Sequence, residues 1–225
     1  MGPMSNVERV AQYNQRQQDA FAASRLCRLL ADNATDAATK AAVRTWLQPW
    51  SDAFQRMITV RVEAETDPQL RAQAIEHRDE ELDHNLLLAR SRTSAGDPHA
   101  EAGFDPVIEA GAAWFTEGLR LQSGVGRAVL AHLALEAAAS TFFSRIGVPA
   151  YPDDVYFAHH DEADAEHLEM GYQVLRERAD WTEEQVLSLL DHAWQVMTMI
   201  ADRIADRAIS DAIETPHASV PRQTR

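Results

Sequence analysis

Cysteine is almost absent from this chain: Cys27 stands alone among 225 residues. One thiol closes no internal disulfide, and no thiolate metal motif is present. Long apolar runs are missing too, and none approaches the roughly 18 residues that a membrane span needs. The opening MGPMSNVERV lacks the apolar stretch of a signal peptide. These absences predict a cytoplasmic protein. Positive charge is also short. Lys and Arg number 21 against 35 Asp and Glu, for a net charge of −14. A nucleic-acid backbone or an anionic membrane surface would be repelled, which leaves a small molecule as the expected partner. Strand-period alternation and low-complexity segments are lacking as well, so the reading is all-α.

What is present is a series of helical segments, with nine glycines and nine prolines mostly confined to the breaks. The pattern predicts helices over about 6–31, 35–65, 68–93, 106–121, 127–146, 153–180 and 182–213, with Ser123-Gly124-Val125-Gly126 as a break. Thr35 or Asp36 suits a cap, Pro68 a first helical position, and Asp153 a cap. Pro49 is expected to kink the second helix or restart it. Hydrophobic residues make up 45% of the chain, enough for one sizeable core. We therefore expect a single domain over 1–214 and a disordered tail over 215–225. Oligomeric state is not legible, and a homodimer is compatible with the sequence.

The densest chemistry lies in VYFAHHDEADAEHLEMGYQVL. A helix turns about 100° per residue, so Asp164 falls roughly 40° from His160, and His167 roughly 20° to the other side. Two imidazoles and a carboxylate thus share one face. His159, Asp161, Glu162 and Glu166 point away, toward solvent. HRDEELDH in the third helix repeats the theme, with Glu81 and His84 three apart and His77 close to the face of His84. Either segment alone reads as an acidic solvent face. Together they match the way helical bundles hold two metal ions. Glu136 lies in the apolar run AHLALEAAASTFF, where an ionised carboxylate is costly to bury without compensation. It stands about 14 residues before the turn near 150, and Asp164 about 14 after it, so a hairpin would level them. The same count about residue 67 pairs Asp52 with Glu81, although Asp52 equally suits an N-cap after Pro49. Carboxylate and imidazole without thiolate favour iron or manganese over structural zinc. Trp50, Phe54, Trp114, Phe142, Phe143, Tyr156 and Phe157 are candidates for a nearby pocket wall or for plain core.

With these residues in view, the chain resembles the heme-oxygenase-like non-heme diiron oxidases and oxygenases, an iron-containing redox enzyme family. The resemblance covers about residues 46–178. His160, Asp164 and His167 match its late H-x-x-x-D-x-x-H motif, Glu136 its mid-chain Glu, and Glu81-x-x-His84 its E-x-x-H element. Asp52 falls where that family usually has a Glu two residues before a Phe, here Phe54. The resemblance implies a heme-oxygenase-like bundle of about seven helices. It implies two Fe(II)/Fe(III) ions with O₂ as co-substrate. The metal ligands would be Asp52, Glu81, His84, Glu136, His160, Asp164 and His167, with Glu136 a candidate bridge. His77, standing where one branch has Glu, would hydrogen-bond a ligand carboxylate. Substrates of that family are amino acids, amines or fatty acids, undergoing N-oxygenation, desaturation or oxidative C–C cleavage, often in natural product biosynthesis. Arg56, Arg61 and Arg120 are candidates to hold a substrate carboxylate. No His precedes His77, which argues against heme ligation near the N-terminus. The alternatives are a ferritin-like iron-binding ferroxidase and a non-catalytic helical scaffold.

Overall fold

A computed structural model describes residues 4–96 and 103–214, and for 161–166 the backbone without side chains. The expected tail over 215–225, part of the loop after Ala95, and the Asp164 side chain lie outside the described residues. Nine helices and no strand are found among the described residues. They are α1 Asn6–Phe21, α2 Arg25–Ala31, α3 Ala37–Ala64, α4 Pro68–Glu81, α5 His84–Ser94, α6 Pro106–Leu121, α7 over 124–150, α8 Val155–Glu177 and α9 Glu183–Glu214. Two splits raise the count above seven. The first expected segment breaks where Ser24 caps α2, and the third breaks at Leu82 and Asp83.

Short polar side chains start most helices by accepting backbone N–H groups that have no partner within the helix. Ser5 forms a capping box with Glu8, Asp36 accepts from Thr39, and Asp67 and Asp105 precede prolines at the first helical position. Asp154, not Asp153, caps α8, by accepting from the Tyr156 N–H. Pro49 does not restart a helix: α3 runs through it, held by buried Trp46, Leu47, Gln48 and Ser51 on either side. Packing thus overrides the local cost of proline, and Asp52 is not an N-cap.

Helix α7 departs most from expectation. Its stretches Val129–Glu136 and Phe143–Gly147 are π-helical, with i→i+5 hydrogen bonds. All eight residues of the first stretch are buried. Helices α3, α6 and α9 pack on one another, α7 rests on α9, and α8 lies along α7. Gly171 permits that last approach, because a Cβ there would fall 2.7 Å from Leu133 Cδ2 and 2.8 Å from His132 Cβ. Helix α4 packs on α3, and α5 bridges α3 to α8. The junction of α4, α5, α7 and α8 is where the chemically active side chains converge.

Candidate metal centre

Two groups of buried side chains meet at this junction. His77, Glu81, Glu136 and His167 form one, and Glu81, His84 and His160 the other. Within each group, one potential ligand atom from every residue lies within 4.8 Å of the others. Glu81 belongs to both. Its Oε1 is 3.4 Å from His167 Nδ1, and its Oε2 is 2.7 Å from His84 Nδ1. Glu136 Oε2 is 3.3 Å from the same His167 nitrogen. His84 Nδ1 and Glu81 Oε2 are close yet lack the alignment of a hydrogen bond. Such a pair suits two atoms that ligate one cation better than two atoms sharing a proton. The donor set of buried carboxylate oxygens and imidazole nitrogens therefore fits a metal ion, of the harder kind that needs no thiolate.

Each imidazole is oriented from behind. The His160 Nδ1–H donates to the Tyr156 carbonyl at 2.8 Å, which leaves Nε2 as a lone pair. Burial pushes His160 down to about 4, so it is neutral at ordinary pH. His167 Nε2 lies 2.9 Å from Glu80 Oε2, a carboxylate–histidine pairing that turns Nδ1 toward the cluster. Burial lowers the His167 pKa, but contact with Glu136 and Glu80 more than reverses this and holds it at about 9. His84 Nε2 meets His159 Nε2 at 3.0 Å. His77 is different. Its Nδ1 faces the Arg61 guanidinium at 3.1 Å, and a guanidinium only donates. Nδ1 must accept, so Nε2 carries the proton and donates it to Glu136 Oε1 at 3.0 Å. Burial pushes Glu136 up, but the imidazoles of His77 and His167 outweigh that and keep it well below the usual carboxylate range. Burial draws Arg61 down to about 10, still a cation at neutral pH.

No protein-family model matches the chain. It is 26% identical over 159 residues to an uncharacterized protein of Rickettsia prowazekii (strain Madrid E), covering 70% of this chain and 75% of that one. A solved domain of unknown function with a heme oxygenase-like fold, from Shewanella denitrificans OS217, matches at a TM-score of 0.66. That match spans 90% of this chain and 93% of the domain, at 17% identity. The chain has a heme oxygenase-like fold. This fold includes enzymes, and here its helices enclose buried His and Glu groups compatible with a metal ion.

Within this heme oxygenase-like bundle, Glu81, His84, Glu136, His160 and His167 are brought together, and His77 with them. Asp52 is not. Its Oδ1 accepts from Gln48 Nε2 at 2.9 Å and Asn85 Nδ2 at 2.8 Å. The α3–α4 hairpin is offset by about one turn from the expected register. Gln55, rather than Asp52, is level with Glu81. Glu81 and His84 also meet by a different route than helical spacing. Asp83, with φ of 67°, breaks the helix between them. Gln55 stabilises the break by donating to the Glu81 carbonyl at 2.9 Å and accepting from the Asp83 N–H at 3.3 Å. In the α7–α8 hairpin, Glu136 meets His167, because π-helical turns crowd more residues into each turn than the count assumed. The shared carboxylate is Glu81, not Glu136.

Several participants escaped sequence reasoning. His159 is exposed, as expected, yet supports His84. Glu80 sits on the exposed side of α4 and still reaches His167. His132 is fully buried beside His77, with ring centroids 4.9 Å apart and neither ring nitrogen hydrogen-bonded. Burial keeps its pKa well below 6.5. Its spacing of four from Glu136 in an apolar run was the available signal.

An apolar cavity opens on the second group. Glu81, His84, Glu136 and His160 form its polar wall. Trp50, Phe54, Phe142, Phe143 and Tyr156 line it, whereas Phe157 is core and Trp114 packs edge-on to Phe115. Phe21, Leu26 and Ile204 also line it. Among the described residues, no Lys or Arg lines it. Arg56 and Arg120 are exposed beside Glu109 and Glu117, and Arg61 is buried behind His77, so none of the three offers a carboxylate clamp in this cavity.

Proposed function

We propose that the chain is a non-heme diiron oxidase or oxygenase that uses O₂ to oxidise a small substrate held in the apolar cavity. The observation that carries this reading is the pair of buried carboxylate–imidazole groups joined through Glu81, one of them facing the cavity. Glu81, His84 and His160 would hold one ion, and Glu81, Glu136 and His167 the other. Asp164 stands one turn after His160 on α8 and remains a proposed ligand. His77 serves as the hydrogen-bond donor that positions Glu136. Two iron ions bound here would supply electrons for the reduction of O₂. The protein's part is to fix the ligand atoms, exclude water and hold the substrate. His160 is held neutral with Nε2 free, so no proton has to leave before it ligates. Apolar side chains around the rest of the cavity keep bulk water from the reacting carbons and strengthen local electrostatic interactions. A lining of this kind favours an apolar chain over a free amino acid, whose charged groups would find few partners beyond the metal ligands.

Anaerobic ferrous loading followed by measurement of the iron-to-protein ratio tests the reading. About two irons per chain are expected, with a transient visible absorbance on rapid mixing with O₂. His160→Ala should lose the absorbance and lower the ratio. Absence of iron uptake by the wild-type chain would remove the metal assignment and return both groups to a buried polar network.

A further inference from the structure

Arg61 is a cation buried against two uncharged partners. It lies on α3 with 2% of its surface exposed. Its guanidinium nitrogens meet His77 Nδ1 at 3.1 Å and Gln73 Oε1 at 3.2 Å, both on α4. Glu65, one turn further along the chain, is held by Arg127 instead, at 3.0 Å. Burying a guanidinium is costly, and an aliphatic side chain between these helices would pack at lower cost. What Arg61 decides is the proton on His77. One ring nitrogen of His77 lies within 4.8 Å of ligand atoms of Glu81, Glu136 and His167, so distance alone would make it a ligand of the inner group. An imidazole nitrogen ligates only through a lone pair. The guanidinium donates to Nδ1, so in the neutral ring the hydrogen sits on Nε2, where it meets Glu136 Oε1 at 3.0 Å. The ring is fully buried, with the His167 ring edge-on at 4.7 Å and that of His132 at 4.9 Å, which leaves it little room to turn.

We propose that Arg61 is a positioning residue that keeps His77 out of the ligand set and thereby sets which metal the inner position prefers. The inference rests on the metal centre proposed above and deepens it. With Arg61 in place, the described side chains offer the inner position Glu81, Glu136 and His167, in which carboxylates outnumber imidazoles. Without the guanidinium, the hydrogen would be free to move to Nδ1. Nε2 would then gain a lone pair, and His77 would join as a second imidazole. Carboxylate oxygens suit manganese, whereas added imidazole moves a site toward zinc, which already binds more tightly than manganese or ferrous iron. Zinc has no redox chemistry, so a site that reduces O₂ must refuse it. Arg61 supplies part of that refusal through the proton that it fixes on His77.

Nitrogen NMR of the full chain with isotope-labelled histidine, at neutral pH and without metal, is the first test. His77 should show a protonated Nε2 and an unprotonated Nδ1, and a proton on Nδ1 overturns the proposal. Zinc, which is diamagnetic, is then added. In the wild type His77 Nε2 should keep its proton, and a metal-bound Nε2 overturns the proposal. In Arg61→Met the same nitrogen should lose its proton on zinc binding. The preference of the inner position for zinc over manganese, read by competition titration, should then rise about tenfold. Arg61→Lys keeps a cationic donor and should hold both readouts at their wild-type values. A zinc preference unmoved in Arg61→Met, or raised equally in Arg61→Lys, overturns the role of Arg61. Should Arg61→Met not fold, the His77 Nε2 proton in zinc-loaded wild type and Arg61→Lys decides. The metal-free spectrum needs no iron, so a wrong tautomer fails this inference alone. Absence of any metal uptake fails the centre, and this inference with it.

Discussion

The two groups that share Glu81 are built differently. The inner one has two carboxylates, Glu81 and Glu136, and is braced by a buried guanidinium through His77 and by Glu80 through His167. The outer one pairs the shared carboxylate with two imidazoles, His84 and His160, and all three residues face the cavity. More carboxylate in the inner group implies firmer hold on a cation, and its supporting hydrogen bonds leave its ligands little freedom. The outer group has less charge and an apolar opening, and under the proposed function it is where substrate would approach. The lesson is that one helix junction can build two different carboxylate–imidazole groups around a shared Glu81 by varying what stands behind each side chain.

The largest expected effect comes from breaking the shared element. Glu81→Ala should abolish iron uptake at both positions, whereas His84→Ala should leave about one iron per chain; equal losses would dissolve the distinction. Next is the response of the metal-free protein to pH. His167, held at about 9, stabilises the fold fully below pH 6.5, its unfolded value, and that contribution is lost as pH rises through 9. His160, held at about 4, and His132, also depressed, act oppositely: the fold loses stability as pH falls below 6.5 toward 4. Stability to urea should therefore peak near pH 6.5 and drop by roughly 2 kcal/mol on each side. Iron loading, which replaces the His167 proton, should flatten the alkaline limb; a loaded protein with the same alkaline loss would place His167 outside the ligand set. A smaller effect is expected from Glu80→Gln, which should lower affinity at the inner position about tenfold and leave the outer one unchanged. Two-step iron titration would show this, and a loss shared by both steps would contradict independent bracing. The smallest effect is expected from Asp52→Asn. Iron stoichiometry should not change, and stability should fall by no more than about 1 kcal/mol through weaker amide contacts to Gln48 and Asn85. Loss of an iron in this variant would restore Asp52 to the ligand set.

Periodicity reveals which residues of one helix share a face, and the late motif was legible for that reason. His160 and His167 lie on an uninterrupted helix, where about 100° per residue holds. Glu136 was legible because a lone carboxylate in an apolar run demands a partner. Register between helices is another matter. Asp52 was misplaced by about one turn, since counting from a hairpin tip assumes uniform helices and a turn of known length. The roles of Arg61, Glu80 and His159 were missed because each acts through a neighbour distant in sequence, and His132 was missed because only helix packing sets it beside His77. Arg61 reaches His77 and Glu80 reaches His167, pairings that only helix packing creates.

By itself the sequence determined the helical class, the candidate ligand types and the cofactor chemistry they suit, because composition and 3.6-residue periodicity are local properties. Only the tertiary structure decided that Glu81 is the shared carboxylate and that a left-handed Asp83 turns His84 back toward it. It also decided that an apolar cavity faces one group while a buried guanidinium stands behind the other. Those outcomes depend on how far each helix slides and rotates against its neighbours, and that is settled by packing of the whole core rather than by any one segment.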